Sequence, residues 1–319
     1  MRGVVLDLDT LHPADLDLAA LDASLDEWQW HSATAPAQLI ERLVGCAVVV
    51  TNKVPISRET MAAAPELRLI CVSATGVNNI DLDAARERGI AVCNVCDYAT
   101  PGVGQHVLAL LLALATRWHD YAADVRAGDW SRAKVFCLMH RPVLELAGRT
   151  CGIIGYGALG REVARLVEAL GMRVLIGASL RPGAVVAAGR VSLAELCARS
   201  DVISLHCPLD SATEKLVDRD FLRAMKPGSL LINTARGGLV DEHALKDALL
   251  SGHLGGAALD VLSAEPPPHH HPLLDPAIPN LLITPHCAWV SRESRQRLLD
   301  GVAANVRAWR RGQPINRVE

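Results

Sequence analysis

Short apolar runs rich in β-branched residues alternate along the chain with stretches in which apolar residues recur every three or four positions. The runs Val4–Leu6, Ala47–Val50, Leu67–Val72 and Ala91–Val95 read as strands. Between them, 36–44 places Leu39, Ile40, Leu43 and Val44 on one helical face, Ser57 starts a short helix, and Asp81–Arg88 forms another. Strands separated by helices predict a parallel sheet with helices on its faces, so residues 1–98 read as one small α/β unit. The pattern repeats at Thr150–Ile154, Val174–Ile176, Asp201–Leu205, Ser229–Asn233, Gly256–Val261 and Leu281–Thr284. Helices are expected within Leu216–Met225, from a cap at Asp241 to Ser251, and from about Arg292 to Arg311, with Leu298, Leu299, Val302 and Val306 on one side. The apolar run Val107–Ala115 reads as a buried helix with Thr100 as N-cap and Pro101 at its first position. It is far short of the ~20 residues of a membrane span. Residues 119–148 break the pattern, and with Trp118, Trp130 and Phe136 nearby they read as a projecting arm or as a lid.

Candidate chemistry begins at the strand Thr150–Ile154. Gly155, Gly157 and Gly160 follow it with the spacing G-x-G-x-x-G. Leu159, Val163, Leu166, Val167 and Leu170 then recur at helical spacing, Gly171 supplies a stop, and a second strand follows. A strand, a glycine turn, a helix and a strand make a βαβ unit, which turns a weak motif into a dinucleotide-binding signature. The first glycine permits the tight turn, the second lets a pyrophosphate approach the backbone, and the third lets the helix pack close. The anion would sit on the free N–H groups of the helix.

At 319 residues the chain has room for two domains, and a net charge of −3 gives no electrostatic case for nucleic acid or an anionic membrane. Nine cysteines lie scattered through apolar segments without a secretory signal, which points to reduced thiols in the cytoplasm. The Cys93/Cys96 pair ends a strand-like run rather than starting a helix and reads as structural. His269, His270 and His271 follow three prolines and read as solvated loop, with no metal site.

Arg236, Glu265 and His286 each follow the carboxyl end of a different expected strand. Those ends share one edge of a doubly wound sheet, so distant residues can converge there. The residue types suit reduction of a 2-keto acid. An imidazole can deliver a proton near neutral pH, a carboxylate beside it favours the imidazolium and orients the ring, and a guanidinium offers a fork of donors to a carboxylate. The loop Ser73-Ala74-Thr75-Gly76 also follows a strand end and reads as an anion-binding backbone or as an ordinary turn.

In these stretches the chain resembles the D-isomer-specific 2-hydroxyacid dehydrogenases: Gly152–Gly160, His206-Cys207-Pro208, Met225–Gly237, Ala257–Pro267 and Thr284-Pro285-His286. The resemblance covers essentially the whole length. It implies Arg236 as substrate-binding, Glu265 and His286 as a proton-relay pair, and Asp260 beside the nicotinamide. It implies further cofactor contacts from Gly155 to Gly160, including Tyr156, Ala158 and Leu159, and from His206, Cys207, Pro208, Thr213, Thr234, Ala235, Arg236, His286 and Ala288. Ser73, Ala74, Thr75 and Gly76 would meet the substrate carboxylate through their backbone. The implied fold is α/β with two Rossmann-like domains: a flavodoxin-like substrate domain of residues 1–98 and 291–319, and an inserted dinucleotide domain of residues 99–290. A homodimer built on the inserted domain is also implied, with 119–148 as its arm. Ala74–Leu82, Phe136-Cys137-Leu138 and His286–Glu293 are most similar to the glycerate dehydrogenase (hydroxypyruvate reductase) branch, in which Phe136 and Trp289 would crowd the pocket and favour a short substrate such as hydroxypyruvate or glyoxylate.

One departure is informative. An NAD-preferring site places Asp or Glu after the second strand, to accept from the ribose 2′-OH. Here that place reads Gly177-Ala178-Ser179-Leu180-Arg181. Ser179 and Arg181 can meet a 2′-phosphate, so NADP(H) is the expected cofactor, with NAD(H) tolerated. Glu265 argues against a formate-oxidising relative, whose histidine pairs with an amide. A reductase of larger 2-keto acids and a dinucleotide-sensing binding protein are the competing readings.

Overall fold

The apolar runs become strands because helices cover both faces of each sheet, which leaves no polar side to alternate with. The computed structural model describes residues 1–181, 183 and 186–318. The chain divides into two units, Met1–Ala99 with Trp289–Glu319, and Thr100–Ala288.

In the first unit β1 (Arg2–Val5), β2 (Glu27–Trp30), β3 (Val48–Thr51), β4 (Leu69–Val72) and β5 (Ala91–Cys93) form a sheet of order β2-β1-β3-β4-β5. Every neighbouring pair is parallel. This is the flavodoxin-like order. Strands β3 and β4 are buried at every position. Strand β2 was not expected: it reads Glu-Trp-Gln-Trp, lies on the sheet edge and is partly exposed, so it carries no apolar run. The helix Arg292–Arg310 returns to this unit and buries Leu298, Leu299, Val302 and Val306 against Val48, Leu69 and Cys71.

In the second unit β6 (Thr150–Ile154), β7 (Arg173–Ile176), β8 (Val202–Leu205), β9 (Leu230–Asn233), β10 (Gly256–Leu259) and β11 (Leu281–Ile283) form a parallel sheet of order β11-β10-β9-β8-β6-β7. The chain leaves β6 for β7 on one side and returns to β8 on the other. This reversal makes the switch point at which open α/β sheets bind ligands. Ile154, Leu205, Leu231 and Leu259 anchor the core beneath it.

Several local expectations shift. The helix within 216–225 contracts to Arg219–Ala224 because the Asp218 carboxylate caps it, accepting from Asp220 N and Phe221 N. The segment 36–44 is a 3-10 turn, Pro36–Gln38, followed by the helix Leu39–Leu43. Thr100 lies inside the helix Thr100–Thr116 rather than capping it, and its buried hydroxyl has no hydrogen-bond partner. The helix Leu193–Arg199 was not expected from the pattern. Residues 119–148 hold most of the helix Trp118–Arg126, the 3-10 turn Trp130–Arg132 and a segment without regular structure.

Candidate active site

The glycine turn after β6 has three different reasons for its three glycines. Gly155 has φ of 93°, and a Cβ there would lie 2.4 Å from Cys207 N. A Cβ on Gly160 would lie 2.1 Å from the Gly155 carbonyl oxygen. The protein itself therefore demands both. Gly157 is different: it has ordinary φ of −83°, and a Cβ there would meet nothing within 4 Å. It is the N-cap of the helix Ala158–Ala169 and supplies no side-chain cap. The helix N-terminus is thus left open with space above it, which suits a pyrophosphate. Tyr156 lies on this turn, and Ala158 and Leu159 are the first two residues of the helix.

At the end of β9, Asn233 is fully buried and shapes the next turn. Its Nδ2 donates to the Arg236 carbonyl (2.8 Å) and its Oδ1 accepts from Ala235 N (3.0 Å). Arg236 is half-buried and donates from Nη1 to the Ala235 carbonyl (2.7 Å). The neighbouring Thr234 hydroxyl is buried without a partner, a polar atom that a bound ligand would satisfy.

Beyond β10, Asp260 is 1% exposed and organises the following loop. Its Oδ1 accepts from the Thr284 hydroxyl (2.5 Å) and Cys287 N (2.9 Å), its Oδ2 accepts from Ala288 N (2.9 Å), and its carbonyl accepts from His286 N (2.8 Å). Because the Thr284 hydroxyl spends its hydrogen on Asp260, it must accept from His106 Nε2, 3.0 Å away. His106, Asp260 and Cys287 also bring their ligand-type atoms within 4.8 Å of one another, but both Asp260 oxygens are already engaged. These bonds hold His286 with φ of 51°. His286 Nδ1 lies 2.7 Å from Glu265 Oε2, and Glu265 Oε1 accepts from Leu262 N (2.9 Å). With Nδ1 committed to the carboxylate, Nε2 is the nitrogen left for a substrate.

The switch-point side is lined by His206, Cys207 and Pro208. His206 Nε2 lies 2.9 Å from the Ser204 hydroxyl, its Nδ1 is buried without a partner, and burial pushes its pKa down to about 4. Burial likewise pushes the Cys207 thiol up to about 11. The Thr213 hydroxyl donates to the Pro208 carbonyl (2.8 Å) and accepts from Asp210 N (2.8 Å), so it shapes this loop. After β7, Ser179 and Arg181 are exposed, and the Arg181 amide donates to the Ser179 hydroxyl (3.4 Å). Sequence reading missed Arg190, fourteen positions beyond Ile176: Val191 pairs back to Gly177, and Arg190 Nη1 donates to the Gly177 carbonyl (3.3 Å).

Ser73–Gly76 and Trp289 belong to the first unit. There Asn94 Nδ2 donates to the Thr75 carbonyl (2.6 Å), Val95 N donates to the Ala74 carbonyl (3.1 Å), and Trp289 packs edge-on to Tyr98. Two expectations need correction. Phe136 is 89% exposed, so within the chain it packs on no pocket. His271 is not solvated: it is buried, with Nε2 3.0 Å from Glu242 Oε2, while His269 and His270 are exposed. Three successive histidines look alike in sequence, and only the turn at Pro272 sends one inward.

The chain also matches known proteins. The family profile of the D-isomer specific 2-hydroxyacid dehydrogenase NAD binding domain matches residues 108–288. A glycerate dehydrogenase of Methylorubrum extorquens is 43% identical over 95% of this chain and 98% of its own. A hydroxypyruvate reductase of Blautia hydrogenotrophica is 39% identical over 99% of each. The solved structure of the TT0316 protein from Thermus thermophilus superposes with a TM-score of 0.83 at 37% identity, over the full length of both chains. With a nucleotide-type glycine turn, a histidine–carboxylate pair and relatives aligned nearly end to end, the chain belongs to the D-isomer-specific 2-hydroxyacid dehydrogenase family.

Proposed function

We propose that this protein reduces a small 2-keto acid, of the hydroxypyruvate or glyoxylate type, to the D-2-hydroxy acid, and runs the reverse reaction. The observation that carries the reading is the 2.7 Å contact between His286 Nδ1 and Glu265 Oε2 at the carboxyl edge of the sheet. When bound, the reduced nicotinamide supplies a hydride to the carbonyl carbon. His286 supplies the proton from Nε2 to the carbonyl oxygen, and Glu265 stabilises the imidazolium before that transfer. In the oxidation direction neutral His286 takes the hydroxyl proton. Arg236 presents its free N–H groups to the substrate carboxylate and the polarised carbonyl. The family resemblance also gives the backbone of Ser73–Gly76 and Trp289 as substrate-binding residues.

The open Gly157 and the unpartnered Thr234 hydroxyl fit a nicotinamide dinucleotide. NADP(H) is the preferred form in this reading, with NAD(H) tolerated. The support is chemical: residues 177–192 contain no Asp or Glu, and Ser179, Arg181 and Arg190 offer donors where a 2′-phosphate would lie. The exposed apolar side chains Trp118, Trp130, Val135, Phe136, Met139 and Val143 favour the arm reading of 119–148, joining two copies. All nine cysteines are thiols rather than disulfides, and no helix among the described residues is long and apolar enough to cross a membrane. Reduced thiols fit the cytoplasm, where we place the protein.

Oxidation of NADPH and NADH, followed by absorbance with hydroxypyruvate, glyoxylate, pyruvate and 2-ketoisocaproate, tests this. Faster turnover of hydroxypyruvate and glyoxylate with NADPH is expected. A clear preference for NADH would overturn the cofactor assignment, and turnover of only the bulky acid would overturn the substrate class. Tight cofactor binding with no turnover of any acid would turn the reading to a dinucleotide sensor.

A further inference from the structure

Behind Glu265 stands a second carboxylate–histidine pair. Glu242 is the first residue of the helix Glu242–Leu250, and its side chain is mostly buried. Its Oε1 accepts from Ser263 N (2.8 Å), and its Oε2 accepts from the Ser263 hydroxyl (2.7 Å). His271 Nε2 faces the same Oε2 at 3.0 Å. The His271 side chain is 4% exposed, and its Nδ1 accepts from Leu273 N (3.3 Å). That bond settles the tautomer: Nε2 carries the hydrogen and donates to Glu242. One carboxylate therefore ties down both ends of the loop from Ser263 to Leu273, and Glu265 stands near the start of that loop.

The loop is also seated from below. A Cβ on Gly237, the residue after Arg236, would lie 1.9 Å from the Leu262 carbonyl carbon, so the Arg236 turn and the Glu265 loop press backbone to backbone. Leu262 N is the donor that fixes Glu265 Oε1 (2.9 Å). The charged neighbours of Glu242 on its own helix are engaged elsewhere: Asp241 caps the helix and faces Lys215 (3.9 Å), and Lys246 pairs with Asp275 (2.9 Å).

We propose that Glu242 and His271 are positioning residues that clamp the Ser263–Leu273 loop and so keep the Glu265 carboxylate on His286 Nδ1. The inference rests on the reading of Glu265 and His286 as the proton-relay pair. Neither Glu242 nor His271 touches the reacting atoms; both act through Glu265. A misplacement of about 1 Å at such a pair costs on the order of a hundredfold in rate, so the clamp has a large effect to exert.

The test is a double-mutant comparison. Glu242→Ala and His271→Ala are made in the native chain and in a Glu265→Gln background. In the native chain E242A is expected to lower kcat by about tenfold or more and H271A by less, while His271→Gln, which keeps an N–H donor, recovers most of the loss. On top of E265Q, E242A should add no more than about a twofold loss, because the group it positions is already gone. Equal losses in both backgrounds would overturn the proposal. A second readout needs no turnover. The Nδ1–H proton of His286 is expected as a far-downfield NMR signal that E265Q abolishes, and E242A should weaken or remove it while cofactor binding and melting temperature show a folded protein. An unchanged signal in E242A overturns the clamp even if the enzyme is active. A wild-type chain that reduces no keto acid overturns the proposed function and leaves the clamp to be judged by the NMR signal. Should E242A fail to fold, Ser263→Ala removes one donor only and carries the same comparison, with a loss of about threefold.

Discussion

His286 occupies the left-handed backbone region, which costs a non-glycine residue on the order of 1–3 kcal/mol unless its surroundings impose it. Here they do, since His286 N, Cys287 N and Ala288 N all donate to Asp260. The side chain is thereby aimed before substrate arrives. Replacing His286 with Gln is expected to lower kcat by about 10²–10⁴-fold while leaving cofactor affinity near wild type, as stopped-flow turnover and cofactor titration would show. Arg236→Lys should act mainly on KM for the keto acid, because an ammonium cannot reproduce the guanidinium fork. His206 makes a different prediction. Burial depresses its folded pKa to about 4, below an unfolded value near 6.5. Its contribution to stability is therefore complete above about pH 6.5 and is lost as pH falls towards 4, by on the order of 3 kcal/mol. Urea midpoints measured across that window should fall more steeply for wild type than for His206→Gln. The placement of Arg236, Glu265 and His286 after strand ends was legible in sequence. The bond directions were not, because they depend on a backbone turn set by Asp260 from another strand.

The glycine turn shows what an element alone can specify. Its strand, its helix and its three glycines are local features, and the spacing identified them. The structure separates their duties. Gly160→Ala should destabilise the protein, since the new methyl would meet the Gly155 carbonyl. Gly157→Ala should melt near the wild-type temperature yet bind NADPH and NADH more weakly, since its methyl would meet no protein atom within 4 Å but would enter the space proposed for the pyrophosphate. Melting curves and cofactor fluorescence titrations of the two variants would show this crossed pattern. Strand β2 and the buried His271 were the elements least visible in sequence. An edge strand with alternating Trp and polar residues has no apolar run, and a histidine in a proline-rich loop becomes interior only when a carboxylate of a distant helix receives it.

On the scale of the whole molecule, the exposed apolar segment has the chemistry of an interface. Phe136 and Met139 are 89% and 78% exposed, far more than a solvated surface needs of its large apolar residues. Light scattering is expected to give twice the chain mass for wild type and a concentration-dependent fall towards the single-chain mass for a Trp130→Ser/Phe136→Ser variant. A monomeric wild type would point instead to the lid reading of this segment.

The sequence by itself determined the α/β class, the parallel sheets, the nucleotide-type turn and the placement of Arg236, Glu265 and His286 after strand ends, because periodicity and glycine spacing are local. Only the tertiary structure decided how those residues are held. Asp260 gathers the His286 loop, Asn233 shapes the Arg236 turn, Arg190 returns beside Gly177, and Glu242 grips the loop of Glu265. Each of these bonds joins residues that sequence spacing gives no reason to pair, or directs a turn whose shape follows from burial rather than from composition. The physical cause is shared: a buried polar group is costly without a partner, and which partner these groups find is settled by the packing of strands and helices around them.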